Sequence, residues 1–98
     1  MKAFKAPGVM TAVPQVSSVE FVTNSKVRLG LLLNLIAGPK SPSQLATIEK
    51  RHVSHVSRAL SELRDRGIVE PLPRGSRETF YRLTNQGYVV YTTLAKIR

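Results

Sequence analysis

Between Arg51 and Arg66 the chain spaces cationic and hydrogen-bonding side chains at a helical period. At 100° per residue, Ser54, Arg58, Ser61 and Asp65 share one face, with Arg51, His55 and Glu62 beside them. Val56, Leu60, Leu63 and Gly67 form the opposite line, flanked by Val53 and Ala59. The polar face is basic in its first half and mixed in charge in its second. Hydroxyls, an imidazole and a planar guanidinium fork pair with the donors and acceptors of another molecule. Two more arginines stand in Pro73-Arg74-Gly75-Ser76-Arg77, where Gly75 permits a tight turn. Both clusters suit a polyanionic partner.

The whole-chain charge agrees. Fifteen Lys and Arg against six Asp and Glu leave a formal +9 on 98 residues, which favours nucleic acid or an anionic surface. The length suits one domain, which buries roughly 65% of its unfolded surface; a two-layer core fits, a deep cofactor cleft does not. There is no cysteine, which excludes disulfides, thiolate metal sites and a cysteine nucleophile. His52 and His55 lack a carboxylate or thiol at matching spacing, and two ligands do not hold zinc. No Gly-rich phosphate loop precedes a helix, and no pair of carboxylates is placed for acid–base work. Neither an enzyme nor a cofactor is expected, and no small-molecule ligand is evident. The longest mostly apolar run, Leu29 to Ala37, falls well short of the ~20 residues of a membrane span, and no signal-peptide block opens the chain. The expected location is cytoplasmic.

The elements that must carry these residues follow from caps and period. Residues 1–19 read as an arm, broken by Pro7, Gly8 and Pro14 and flexible or dimer-associated; residues 20–98 read as the domain. Order begins at Glu20-Phe21-Val22, and Asn24 or Ser25 caps a helix that is apolar on most sides, through Val27, Leu29, Leu31, Leu32, Leu33, Leu35 and Ile36. Gly38-Pro39 ends it. Such a helix belongs in the middle of a bundle or at a dimer interface. Ser41-Pro42-Ser43-Gln44 is a capping box with proline at the first helical position, opening a short helix with Leu45, Ala46 and Ile48 inward. The polar-faced helix then spans 53–66 and stops at Gly67. Residues 68–72 and 79–83 read as strands around the 73–77 turn, and Thr84 caps a last helix through Tyr88, Val90, Tyr91 and Leu94. Helix, short helix, helix, hairpin, helix is a mainly α chain with a small β-hairpin: a winged helix-turn-helix.

Residues 41–83, SPSQLATIEKRHVSHVSRALSELRDRGIVEPLPRGSRETFYRL, resemble the DNA-binding core of prokaryotic winged-helix transcriptional regulators. The likeness is to small, archaeal-looking members related to the MarR and ArsR groups. Its most specific stretches are SHVSRALSELRDRGIV, similar to the recognition helix and the opening of the wing, and YRLTNQG, similar to the wing's return strand and the next helix cap. FVTNSKVRLGLLLNL resembles the family's first helix, so the likeness covers roughly residues 20–95. The chain departs from the pattern at Lys50 and Arg51, where the family commonly has glycine and an apolar residue, and at His52, a weak cap.

The resemblance implies a sequence-specific regulator of transcription bound to double-stranded DNA, a repressor and homodimer. Ser54, His55 and Arg58 would meet base edges, with Ser61 or Glu62 reaching a further base; the Arg58 fork matches guanine O6 and N7. A phosphate contact or an ion pair with Glu62 at i+4 is the other reading of Arg58. Lys40, Ser43, Gln44, Lys50, Arg51 and Ser57 would hold the backbone, and Arg74, Gly75 and Arg77 of the 73–79 wing the flanking DNA. Tyr81 rather than Phe80 would enter the core. Leu29 and Leu33 with Tyr88, Tyr91 and Ala95 offer apolar strips for a dimer. Two other functions keep parts of this picture: a non-specific architectural DNA-binding protein, and a winged-helix module for protein or RNA.

Overall fold

The computed structural model describes residues 16–73 and 77–97. In them the expected order of elements appears with one helix added in front. The elements are α1 (Val16–Thr23), α2 (Lys26–Leu35), α3 (Pro42–Glu49), α4 (Val53–Asp65), β1 (Val69–Pro71), β2 (Tyr81–Leu83) and α5 (Asn85–Ile97). The fold is a winged helix-turn-helix, mainly helical with one antiparallel hairpin.

Helix α1 departs from the expectation of an arm over 1–19: residues 16–19 are helical, while residues 1–15 lie outside the described part. Its sequence, VSSVEFVT, is rich in β-branched residues and serine, which are indifferent helix formers. Packing supplies what propensity lacks, since Val22 is fully buried and Ser18 nearly so.

Helix α2 starts as its sequence predicts, with the Ser25 hydroxyl accepting from the Arg28 N–H at 3.2 Å. Leu31, Leu32 and Leu35 are buried, while Leu29 is half-buried. The other four helices and β2 all pack against α2, which explains its lack of a polar face. Gly38 takes a φ of 144° in the following turn, open to glycine but poorly to other residues.

The capping box of α3 is formed in full. Gln44 N–H donates to the Ser41 hydroxyl at 3.2 Å, and Ser41 N–H to Gln44 Oε1 at 2.9 Å. The helix ends on Lys50 at φ 56°, ψ 47°, so a lysine holds the left-handed position that the family commonly gives to glycine. That conformation costs a side-chain-bearing residue roughly 1–2 kcal/mol. It turns the chain sharply enough for α4 to start three residues later.

The hairpin pairs Val69 with Leu83, Glu70 with Arg82 and Pro71 with Tyr81. Leu72 N–H donates to Phe80 O and Thr84 N–H to Ile68 O, so Pro71 falls in a non-hydrogen-bonded pair and its missing N–H interrupts no bond to β2. On its other side Tyr81 exchanges both backbone hydrogen bonds with Lys40, at 2.9 and 3.1 Å. This bridge adds a third extended segment that the sequence reading did not contain. Tyr81 packs against the core, as expected, and Phe80 is itself half-buried rather than exposed.

One residue joins hairpin and last helix. The Thr84 hydroxyl accepts from Gly87 N–H at 3.1 Å, capping α5, and lies 2.6 Å from the Gly67 carbonyl oxygen. A Cβ on Gly87 would collide with the Ile68 carbonyl, so the Thr84-x-x-Gly87 spacing lets α5 lie directly on the end of α4 and the start of β1. The core beneath joins Val22, Leu31, Leu35, Leu45, Val56, Leu60, Leu63, Ile68, Leu83 and Val90. Helices α2 and α3 and strand β1 hold α4 in it directly.

Candidate nucleic-acid interface

Helix α4 has an apolar stripe and a polar face. Val56, Ala59, Leu60 and Leu63 are buried, and that fixes the rotation of the helix. Ser54, His55, Ser57 and Arg58 consequently point to solvent, and Ser61 is half-buried. The first turn has no acidic residue. His52 holds the cap position with extended backbone but makes no capping bond; its Nδ1 instead lies 3.1 Å from Ser54 Oγ. The leading amides of α4 are therefore not claimed by a cap side chain, and the positive end of the helix stays open to an anion.

Arg58 forms no ion pair among the described residues, and the alternative in which it pairs with Glu62 is not realised. Glu62 Oε1 accepts from Arg28 Nη1 at 2.9 Å. The same bond draws the carboxylate of Glu62, the alternative to Ser61 as a base-reaching residue, toward α2.

Ser43, Gln44, Lys50, Arg51 and Ser57 are exposed around the α3–α4 turn. Gln44 gives its carbonyl oxygen to the capping box, leaving its amide N–H donors outward. Lys40, expected to hold the DNA backbone, is engaged within the chain. Its Nζ donates to the Asn34 carbonyl at 3.1 Å, and its backbone bridges to Tyr81. It caps the end of α2, where a cation meets the negative end of the helix. Arg74 and Gly75 of the wing lie outside the described residues; Arg77 is exposed.

Two features were not anticipated. Arg82 pairs with Glu70 across the hairpin at 2.8 Å, a contact that follows once these residues are seen to stand directly opposite. Arg28 carries no sequence signal for its role, because its partners lie 7 and 34 positions away.

The apolar candidates separate. Leu29, Leu33, Tyr91, Leu94 and Ala95 line one groove of about 380 Å³ between α2 and α5, with Thr23 at its edge. Leu33 is 49% exposed. Tyr88 stands apart, lining a polar groove with Glu70 and Arg82, because it lies about two turns nearer the hairpin than Ala95. Among the described residues no three metal-ligating side chains come together, and no helix is long and apolar enough to cross a membrane.

Transcriptional regulators are among the solved structures similar to this chain. The transcriptional repressor BigR from Xylella fastidiosa is 30% identical, with a TM-score of 0.70 over 82% of this chain and 80% of that one. A regulator assigned to the MarR family from Enterococcus faecalis is 20% identical, with a TM-score of 0.75 over 99% and 87%. The homodimeric winged helix-turn-helix DNA-binding domain of a Mycobacterium bovis protein is 22% identical, with a TM-score of 0.69 over 96% and 88%. No curated protein matches the chain. The family described as the HVO_A0261 N-terminal domain matches residues 16–98, and this chain belongs to it.

Proposed function

We propose that this chain is a transcriptional regulator that binds double-stranded DNA as a homodimer and represses by occupying a promoter. The carrying observation is the first half of α4, whose exposed Ser54, His55, Ser57 and Arg58 lie on an acid-free, uncapped helix end. Ser54, His55 and Arg58, with Ser61 behind them, meet base edges in the major groove. Lys40, Ser43, Gln44, Lys50, Arg51 and Ser57 hold the phosphates on either side. The 73–79 wing, with Arg74, Gly75 and Arg77, contacts flanking DNA. The likeness to BigR, described as a repressor, supports the direction of regulation. The apolar α2–α5 groove and the homodimeric M. bovis domain support the dimer, which would place two half-sites about one turn (~34 Å) apart.

Selection of bound duplexes from a random pool tests specificity and half-site spacing together. The expected result is a two-fold symmetric consensus, with affinity falling on a log–log salt plot by about 0.9 per phosphate neutralised. Random duplex competing as well as the selected sequence would instead make the protein an architectural DNA binder. Leu33→Asp is expected to yield a monomer in sedimentation at tens of micromolar while leaving the helical content intact.

A further inference from the structure

Glu62 sits one turn beyond Arg58 on α4, a spacing at which opposite charges on a helix readily pair. It does not pair with Arg58. It is held from α2 by Arg28, whose side chain is 17% exposed and fixed at three points. Arg28 Nε donates to the Phe21 carbonyl at 2.8 Å, Nη1 donates to Glu62 at 2.9 Å, and the guanidinium carbon lies 3.9 Å from the centre of the Phe21 ring. Arg66 covers the same ring at 4.3 Å. A guanidinium fork held in this way loses little freedom when it accepts a carboxylate. An exposed i,i+4 pair on α4 is weak, so the partly buried Arg28 prevails over Arg58 for the same carboxylate.

We infer that Arg28, which does not reach the DNA-facing surface of α4, is a positioning residue for DNA recognition: by holding Glu62 it keeps Arg58 unpaired for its base. The inference rests on the DNA-binding reading above. With Arg28 removed, Glu62 turns to Arg58, masks the fork and sets a carboxylate beside the phosphates. Phe21 belongs to α1, so the seating of that helix is transmitted through Arg28 to the reading face.

The test is a set of variants measured on the selected duplex. Arg28→Met, which keeps the apolar stem over Phe21, is expected to weaken binding about fivefold, part of the full worth of an arginine–guanine contact. In an Arg58→Ala background the same substitution is expected to cost nothing further, and Glu62→Gln added to Arg28→Met restores binding to within about twofold. An equal loss with Arg58 already absent, or no recovery with Glu62→Gln, overturns the inference and leaves only a general charge or folding effect. Thermal melts show whether each variant is folded. Should Arg28→Met unfold, Arg28→Lys carries the same test with a smaller loss, because an ammonium cannot bridge Phe21 and Glu62 as the fork does. Failure of the unsubstituted protein to bind any duplex would overturn the DNA-binding reading itself; normal binding by Arg28→Met would overturn this inference alone.

Discussion

The two halves of α4 share one buried stripe and differ in almost everything else. In the first half, Ser54, His55, Ser57 and Arg58 are exposed, and the cap position holds a histidine that does not cap. In the second half, Glu62 is tied to Arg28, Arg66 covers Phe21, and the Arg66 carbonyl lies 3.4 Å from Gln86 Nε2. One end of the helix is anchored to α1, α2 and α5; the other presents its polar groups to solvent. The difference lets a single helix serve stability and, under the proposed function, recognition. Glu62 lies where it satisfies α2, and the unpaired Arg58 lies where another molecule can reach it.

Four substitutions break or sharpen this comparison. The largest effect is expected from Leu60→Ala, which opens a cavity in the stripe that both halves share: a loss of about 2–5 kcal/mol in denaturant unfolding, with DNA binding falling only as far as the protein unfolds. Arg58→Ala is expected to separate the halves most cleanly. Its unfolding free energy stays within about 0.5 kcal/mol, while affinity for the selected duplex drops by about 1–3 kcal/mol and the base preference at one position relaxes. Thr84→Val addresses the anchored end, where the hydroxyl caps α5 and meets the Gly67 carbonyl. The expected loss is about 1 kcal/mol, read as a lower melting temperature with duplex affinity unchanged. Lys50→Gly should give the smallest change and the opposite sign, a gain of about 0.5–1 kcal/mol from relieving the left-handed backbone. The same variant is expected to bind duplex more weakly and with a shallower salt slope if Lys50 neutralises a phosphate.

Local chemistry made much of this legible in the sequence. The serine, proline and glutamine at the start of α3 write their own hydrogen bonds, because a capping box involves only neighbours in the chain. The apolar period of α4 determined which residues face out, since burial of one stripe fixes the rotation of the whole helix. Thr84 announced the start of the last helix, although only the packing showed why a glycine stands at position 87.

What the sequence did not determine depends on partners far along the chain. Helix α1 has poor intrinsic propensity and exists because Val22 and Ser18 are covered by other elements. Lys40 looks like a free surface cation until its segment is seen bridging to Tyr81 and its ammonium closing α2. Glu62 lies four residues from Arg58, the pairing that the sequence offered as an alternative; the structure pairs it with Arg28, which is half-buried and already fixed against Phe21. Periodicity and caps report interactions within a turn or two, so the sequence by itself determined α2 to α5, the buried stripe of α4 and the winged order. Only the tertiary structure decided which of the charges on those faces are engaged and which are left free.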